Sequence, residues 1–388
     1  MGGLDRVKIN PQMLDHAMKT ANTSAEALSA MLNMKPEKIH SWLSGNARPT
    51  MKQLMVISKK LGRSYYYFLL KKPPEEDPIP VDFRPYKGQF IPLKRETIVA
   101  IHEAKSFQDV AREIMNDLGT NPEPLFEGAT LEDNPKEKAA LIREDLGIIT
   151  NRKRKEWSSD SKSFLSIREA VERLNVMVVT LDFPFEDARG FSLSLSYPFL
   201  IGISQKEPQK KAMNFTLLHE LGHLLLRRDG ICNPQEDISF DNGNREIEEW
   251  CNTFAAAVLV PEYVLRSEFS VPASRIDGDT LYNKVSDISS KYFISKQAVA
   301  IALVKINYID KSRYAAFAKA REQKKKETKG GKSPPKWKRS LDSRGKRFSE
   351  IVYQGNESGY LTTSRALSYL SVPLKDFGKV REAISARR

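Results

Sequence analysis

The stretch NFTLLHELGHLLLRR, residues 214–228, sets His219 and His223 four positions apart, with Glu220 directly after the first. On a helix, residues i and i+4 share one face about one turn apart, so both imidazoles can reach a single ion. Zinc takes neutral imidazole nitrogen at about 2.0–2.1 Å and prefers a tetrahedron, which leaves room for one more protein ligand and a water. Glu220 then stands beside the ion without having to ligate it. A carboxylate there can take the proton of a water whose pKa the cation lowers to about 7. This is the H-E-x-x-H arrangement of metal-assisted peptide hydrolysis. Phe215, Leu217, Leu218, Leu221, Leu224 and Leu225 make the helix apolar on nearly every side, which predicts burial. Buried imidazoles and carboxylates are costly without partners, and a cation is such a partner.

The third ligand is expected downstream, in REIEEWCNTFAAAVLVPEY. Ile247, Trp250, Cys251, Phe254, Val258 and Leu259 form the apolar stripe of a second helix, which Pro261 ends. Glu248 and Asn252 flank that stripe four positions apart. Glu248 is the favoured ligand, and Asn252 is placed to hydrogen-bond an imidazole N–H and orient it. Glu249 and Glu246 remain alternatives. The chain has only Cys232 and Cys251 and no C-x-x-C, so a thiolate cage is unavailable and a reducing cytosol fits. Cys232 reads as inert and Cys251 as core. Tyr197 and Tyr263 are candidates to stabilise the oxyanion of peptide hydrolysis.

Elements of both kinds must position these groups. KRETIVAIHEAKSFQDVAREIMNDL and SFLSIREAVERLN have the period of amphipathic helices, VMVVTLDF reads as a buried strand, and GFSLSLSYPFLIGIS as a hairpin leading into the histidine helix. The segment is therefore α+β. In front of it, residues 10–70 carry short helical patterns broken by GNARP and LGRS. KKPPEEDPIPVDFRP then spends five prolines in a stretch that reads as an extended linker. Behind it, AREQKKKETKGGKSPPKWKRS reads as a flexible tether, and the last forty or so residues return to short amphipathic helices.

The net charge of +13 is unevenly spread. Residues 1–72 carry 12 Lys+Arg against 4 Asp+Glu, and residues 311–347 carry 15 against 3, so the middle is acidic. Basic ends around an acidic centre point to polyanion contact at the ends and separate chemistry between them. No apolar run approaches the roughly 18 residues of a membrane span, and MGGLDRVKINPQML lacks the apolar core of a signal peptide. A cytoplasmic protein without membrane contact is expected. His16, His40 and His102 read as surface residues, and NRKRKEW, 151–157, as a basic turn.

DARGFSLSLSYPFLIGI, FTLLHELGHLLL and EIEEWCNTFAAAVLVP together resemble successive blocks of the ImmA/IrrE metallo-endopeptidases, a gluzincin-like family. The resemblance covers about residues 180–310 and sets Glu248 and Asn252 on the family's Glu and Asn. Cys251 takes the place of a usual Ala, and Ala302 that of a common Arg. It implies zinc held by His219, His223 and Glu248, with Glu220 catalytic, and cleavage of a transcriptional repressor that controls stress or mobile-element genes. NTSAEALSAMLNMKPEKIHSWLSGNARPTMKQLMVISKKLG resembles an XRE/Cro-type helix-turn-helix, with Leu28, Leu32, Ile39, Trp42, Leu54 and Ile57 as core. That resemblance implies a second motif helix in the DNA major groove presenting Lys35, Glu37, Lys38, His40 and Ser41, with Arg48, Lys52 and Lys59 toward phosphates. Ala25 stands where relatives have a phosphate-contacting Gln, and Glu37 brings a carboxylate to that surface.

The expected organisation is α+β and mostly helical. It comprises an all-α helix-turn-helix domain (1–72), a linker (73–95), a gluzincin-like metallopeptidase domain (96–310), a basic tether (311–340) and a C-terminal helical module (341–388). The expected function is a Zn2+-dependent endopeptidase coupled to DNA binding, with a repressor as protein substrate. The alternatives are a non-proteolytic DNA-binding regulator with a structural or sensory zinc, and a toxin–antitoxin component.

Overall fold

The computed structural model describes residues 6–73, 85–86, 89–90, 93–148, 159–228, 230–232, 245–269, 276–310, 312–314 and 334–385 of the 388-residue chain. Most of the proline-rich linker, the 151–157 turn, the body of the tether and the side chain of Cys232 lie outside the described residues. The described part is mostly helical with a small sheet, as an α+β reading requires.

The N-terminal helices are α1 (Pro11–Thr20), α2 (Ala25–Leu32), α3 (Pro36–Leu43) and α4 (Met51–Leu61). Local chemistry sets their ends. Asn10 and Ser24 accept hydrogen bonds from the first turns of α1 and α2, and Thr50 and Gln53 close a reciprocal capping box on α4. Leu28, Ile39, Trp42, Leu54 and Ile57 are all completely buried, and Leu32 packs against them. The expected core residues therefore form one core.

The chain continues through a short antiparallel pair, β1 (Pro85–Tyr86) and β2 (Gln89–Phe90), to the long helix α5 (Arg95–Asp117). Then come α6 (Pro135–Asp145), α7 (Asp160–Arg173), β3 (Met177–Leu181), β4 (Gly190–Leu193) and β5 (Leu200–Ser204). The histidine helix α8 (Lys210–Leu225), β6 (Gly230–Cys232) and α9 (Arg245–Leu259) follow, then α10 (Glu262–Ser267), α11 (Gly278–Tyr292) and α12 (Lys296–Lys305). The sheet order is β3-β5-β4-β6. β3 runs parallel to β5, and β4 is antiparallel to both β5 and β6, so the expected hairpin forms with Leu193 opposite Leu200.

Four further helices close the fold: α13 (Lys336–Arg344), α14 (Lys346–Glu357), α15 (Thr363–Leu370) and α16 (Phe377–Ser385). α13 starts inside the stretch expected to be a tether, because Trp337 and Leu341 pack into a core with α5. That core lies on one face of the sheet; α7 and α8 cover the other, and α9 packs on α8.

His102 corrects the sequence reading. It is 2% exposed and accepts a hydrogen bond from the Arg63 guanidinium at 3.3 Å, which joins α5 to the N-terminal helices. His16 is half-buried and bonds the Tyr67 hydroxyl through Nδ1 at 2.6 Å, and only His40 is exposed. Helical period shows which face of a helix is apolar, but not that another unit covers the polar edge. Among the described residues, no helix is long and apolar enough to cross a membrane.

Candidate metal centre

α8 is buried along almost its whole length, including His219, Glu220 and His223, each at 0% exposure. It lies in a trough between β4, β5, α7 and α9. The approach of α9 depends on Gly222. A Cβ at that position would lie 3.2–3.3 Å from Cys251, tighter than ordinary contact, so glycine there suits the close approach. With the helices this close, Glu248 reaches across from α9.

The three polar ends converge. His219 Nε2 lies 3.1 Å from Glu248 Oε2, His223 Nε2 is 3.2 Å from Glu248 Oε1, and the two Nε2 atoms are 3.1 Å apart. Three ligands of one tetrahedral ion at about 2.0–2.1 Å would stand roughly 3.3–3.4 Å from one another, so the triangle fits with a small outward adjustment. The hydrogen bond behind His219 explains why a cation belongs there. Its Nδ1 donates to Asn252 Oδ1 at 3.1 Å, which leaves the Nε2 lone pair facing a carboxylate oxygen. One proton can relieve only one such pair, whereas one metal ion relieves all three. His219, His223 and Glu248 thus form a buried group able to hold a metal ion.

Glu248 is 1% exposed, whereas Glu246 and Glu249 are exposed and lie outside the group. The electrostatics follow from burial. Burial penalises the Glu248 carboxylate, yet the His223 and His219 imidazoles outweigh it and hold the pKa well below the usual range. Burial also works against a charged His223, but the Cys251 thiol and Glu248 hold its pKa well above the ordinary value. For Glu220, burial dominates and raises the pKa, against the pull of both imidazoles and of Ser192 on β4.

Residues 171–304 match the family model of the IrrE N-terminal-like domain, peptidase family M78. The match runs from the end of α7 to α12 and includes the whole metal group. It supports a metallopeptidase of the ImmA/IrrE type for this segment. No curated protein matches the chain.

Other predicted residues lie elsewhere. Tyr263 is 71% exposed and lines a cleft beside α10, and the Tyr197 hydroxyl accepts a hydrogen bond from Arg227. Lys35, Lys38 and His40 are exposed on or just before α3, and Arg48 and Lys52 are exposed on the loop and helix that follow. Two of that set are engaged internally. The Ser41 hydroxyl donates to the Lys38 carbonyl at 2.8 Å, and His40 lies 3.6 Å from the Glu26 carboxylate.

Sequence reasoning missed Ser192 and the place of Cys251 beside His223. Both were accessible in principle. Ser192 falls on the inward alternation of β4 beside Gly190, and Cys251 stands three residues after Glu248 on the face that meets Gly222.

Proposed function

We propose that the chain is a zinc-dependent endopeptidase acting on a transcriptional repressor or similar regulatory protein, and that residues 1–72 bring it to DNA. The observation that carries the peptidase reading is Glu220. It is a wholly buried carboxylate one residue from a ligand, held at the metal group beside both imidazoles and the Ser192 hydroxyl. A site that only stored metal would gain nothing from so costly a group.

His219, His223 and Glu248 would hold the ion, and Asn252 fixes the His219 ring. When bound, zinc polarises the scissile carbonyl and lowers the pKa of water. Glu220 takes a proton from the attacking water onto a carboxylate oxygen. As the carbon–nitrogen bond breaks, it passes that proton to the departing amine nitrogen. Burial makes Glu220 a better proton acceptor than an exposed carboxylate, which suits the first transfer, and the apolar packing of α8 keeps bulk water from competing.

The test is Glu220→Gln, co-expressed with a regulatory protein encoded by a neighbouring gene. Metal content should stay at the wild-type level while the rate of the defined cut falls at least about 10²-fold. Undiminished cleavage would remove the mechanism. Complete burial of all four groups favours a second reading, a closed site whose metal is structural or sensory. On that reading Glu220→Gln changes neither cleavage nor regulation.

For DNA, support comes from the exposed cations Lys35, Lys38, Arg48 and Lys52 around α3. Replacing Lys38 and Arg48 together by Gln should weaken binding and flatten its salt dependence by about two phosphate contacts. An unchanged salt slope would reassign this surface to a protein partner.

A further inference from the structure

α9 has a second face. Adjoining the side of Glu248 and Asn252, it forms one wall of an open cleft of about 370 Å³, completed by α6, α10 and α12. That volume lies within the roughly 300–1,000 Å³ of small-molecule sites. Four alanines, Ala140, Ala256, Ala257 and Ala302, line it beside Val260, Leu265 and Ile306, so there is room for a ligand's apolar body.

The charged lining is unbalanced. Lys136, Arg143 and Lys305 face Glu144 and Glu262, an excess of one positive charge. Lys136 is paired with Glu262 at 2.6 Å. Arg143 is 8% exposed and donates to the Val258 carbonyl at the end of α9. The Lys305 ammonium donates to the Thr253 hydroxyl at 3.1 Å. Among the described residues, neither Arg143 nor Lys305 has a carboxylate partner. Burial depresses the pKa of both; Tyr263 acts against it on Arg143, and Glu249 acts against it on Lys305 while Lys136 adds to it. A buried guanidinium with no carboxylate beside it and a rim ammonium supported only by Glu249, next to an alanine-rich surface, constitute half of an interaction.

We propose that this cleft binds a small amphipathic monoanion, a carboxylate on a short apolar chain, with its head on Arg143 and Lys305 and its chain along Ala256, Ala257 and Ala302. A single excess positive charge matches a carboxylate better than a phosphate dianion, and a guanidinium presents paired donors to two carboxylate oxygens. The Val258 carbonyl uses only part of Arg143's donor set.

The test is calorimetric titration of the full chain with octanoate, with 1-octanol as the uncharged probe of the same chain length. Octanoate should bind one per chain and about tenfold or more tighter than octanol, the ratio that charge-assisted hydrogen bonds confer. Lys305→Gln, at the exposed rim, should weaken octanoate about tenfold and leave octanol unchanged. Ala302→Trp, which fills the cleft, should remove binding of both, with thermal melting confirming that each variant is folded. Equal affinity for the two probes, unaltered binding by Ala302→Trp, or no octanoate binding up to millimolar concentration would each overturn the proposal.

Discussion

Alternation along β3 and β5 turns Val178, Ile201 and Ile203 toward α8, and Met177, Val179 and Leu200 toward α5 and α14. The α8 side packs its leucines around Asn214, His219, Glu220, His223 and Glu248, all at 1% exposure or less. The α5 side is built around Phe107, Phe348, Ile351 and Val352 and is locked by Arg168, which donates to the carbonyls of Val178 on β3 and Asp342 on α13. One face thus gathers three metal-ligand groups at a single point, and the other is held mainly by aromatic and aliphatic packing. A buried polar site costs stability, and a well-packed opposite face can offset that cost.

The largest expected effect is therefore confined to the α8 face. Zinc at about a thousand times its Kd should stabilise the fold by about 4 kcal/mol, and a chelator should reverse it. Hydrogen exchange should then quicken first in α8 and α9, while α5 and α14 stay protected. Equal loss of protection on both faces would erase the distinction.

The two faces also differ in how far sequence reasoning reached. The α8 face was legible because its information is local: a four-residue spacing on one helix, an apolar stripe on the next, and Glu248 one turn before Asn252. Glu249 lies about 100° further round α9 on the exposed side; period together with the place of Glu248 one turn before Asn252 favours Glu248, and the fold decides it. The α5 face was not legible, because Phe107 meets Phe348 at 4.9 Å between ring centres across 241 residues, and nothing in either helix names its partner. For the same reason α13 read as part of a charged tether and His102 as a surface residue. Burial of Trp337 and of His102 is decided by distant elements.

Gly345 offers the next largest break, this time on the α5 side. Its φ of +79° favours glycine, and a Cβ there would lie 2.3 Å from the Val178 carbonyl oxygen and 2.4 Å from Glu172 Oε1. Gly345→Ala should cost about 1–3 kcal/mol, seen as a lower denaturation midpoint, while the metal content of the folded protein stays unchanged. Loss of metal at the same denaturant concentration would show that the faces unfold as one unit. Asn252→Ala should do the reverse. With its hydrogen bond to His219 gone, metal affinity should fall about 10–100-fold, measured by competition with a chromogenic chelator. An affinity within twofold of wild type would reduce Asn252 to packing.

The smallest effect tests the junction behind the α5 face. His102 has its pKa lowered to about 3, first by burial and then by Arg63, whose guanidinium donates to its Nε2. The unfolded chain takes up a proton near the ordinary pKa of about 6.5 while the folded chain does not, so stability falls as pH drops through about 6.5 toward 3 and levels off at higher pH. Between pH 7 and pH 6 the loss should be only about 0.7 kcal/mol. His102→Gln retains an acceptor for Arg63 but cannot titrate, so it should flatten the denaturation midpoint over that interval. An identical pH slope in the variant would mean that His102 remains neutral in both states or that acid acts elsewhere. A flattened slope with unaltered exchange in α8 would place the acid sensitivity at the docking of the N-terminal helices, away from the metal group.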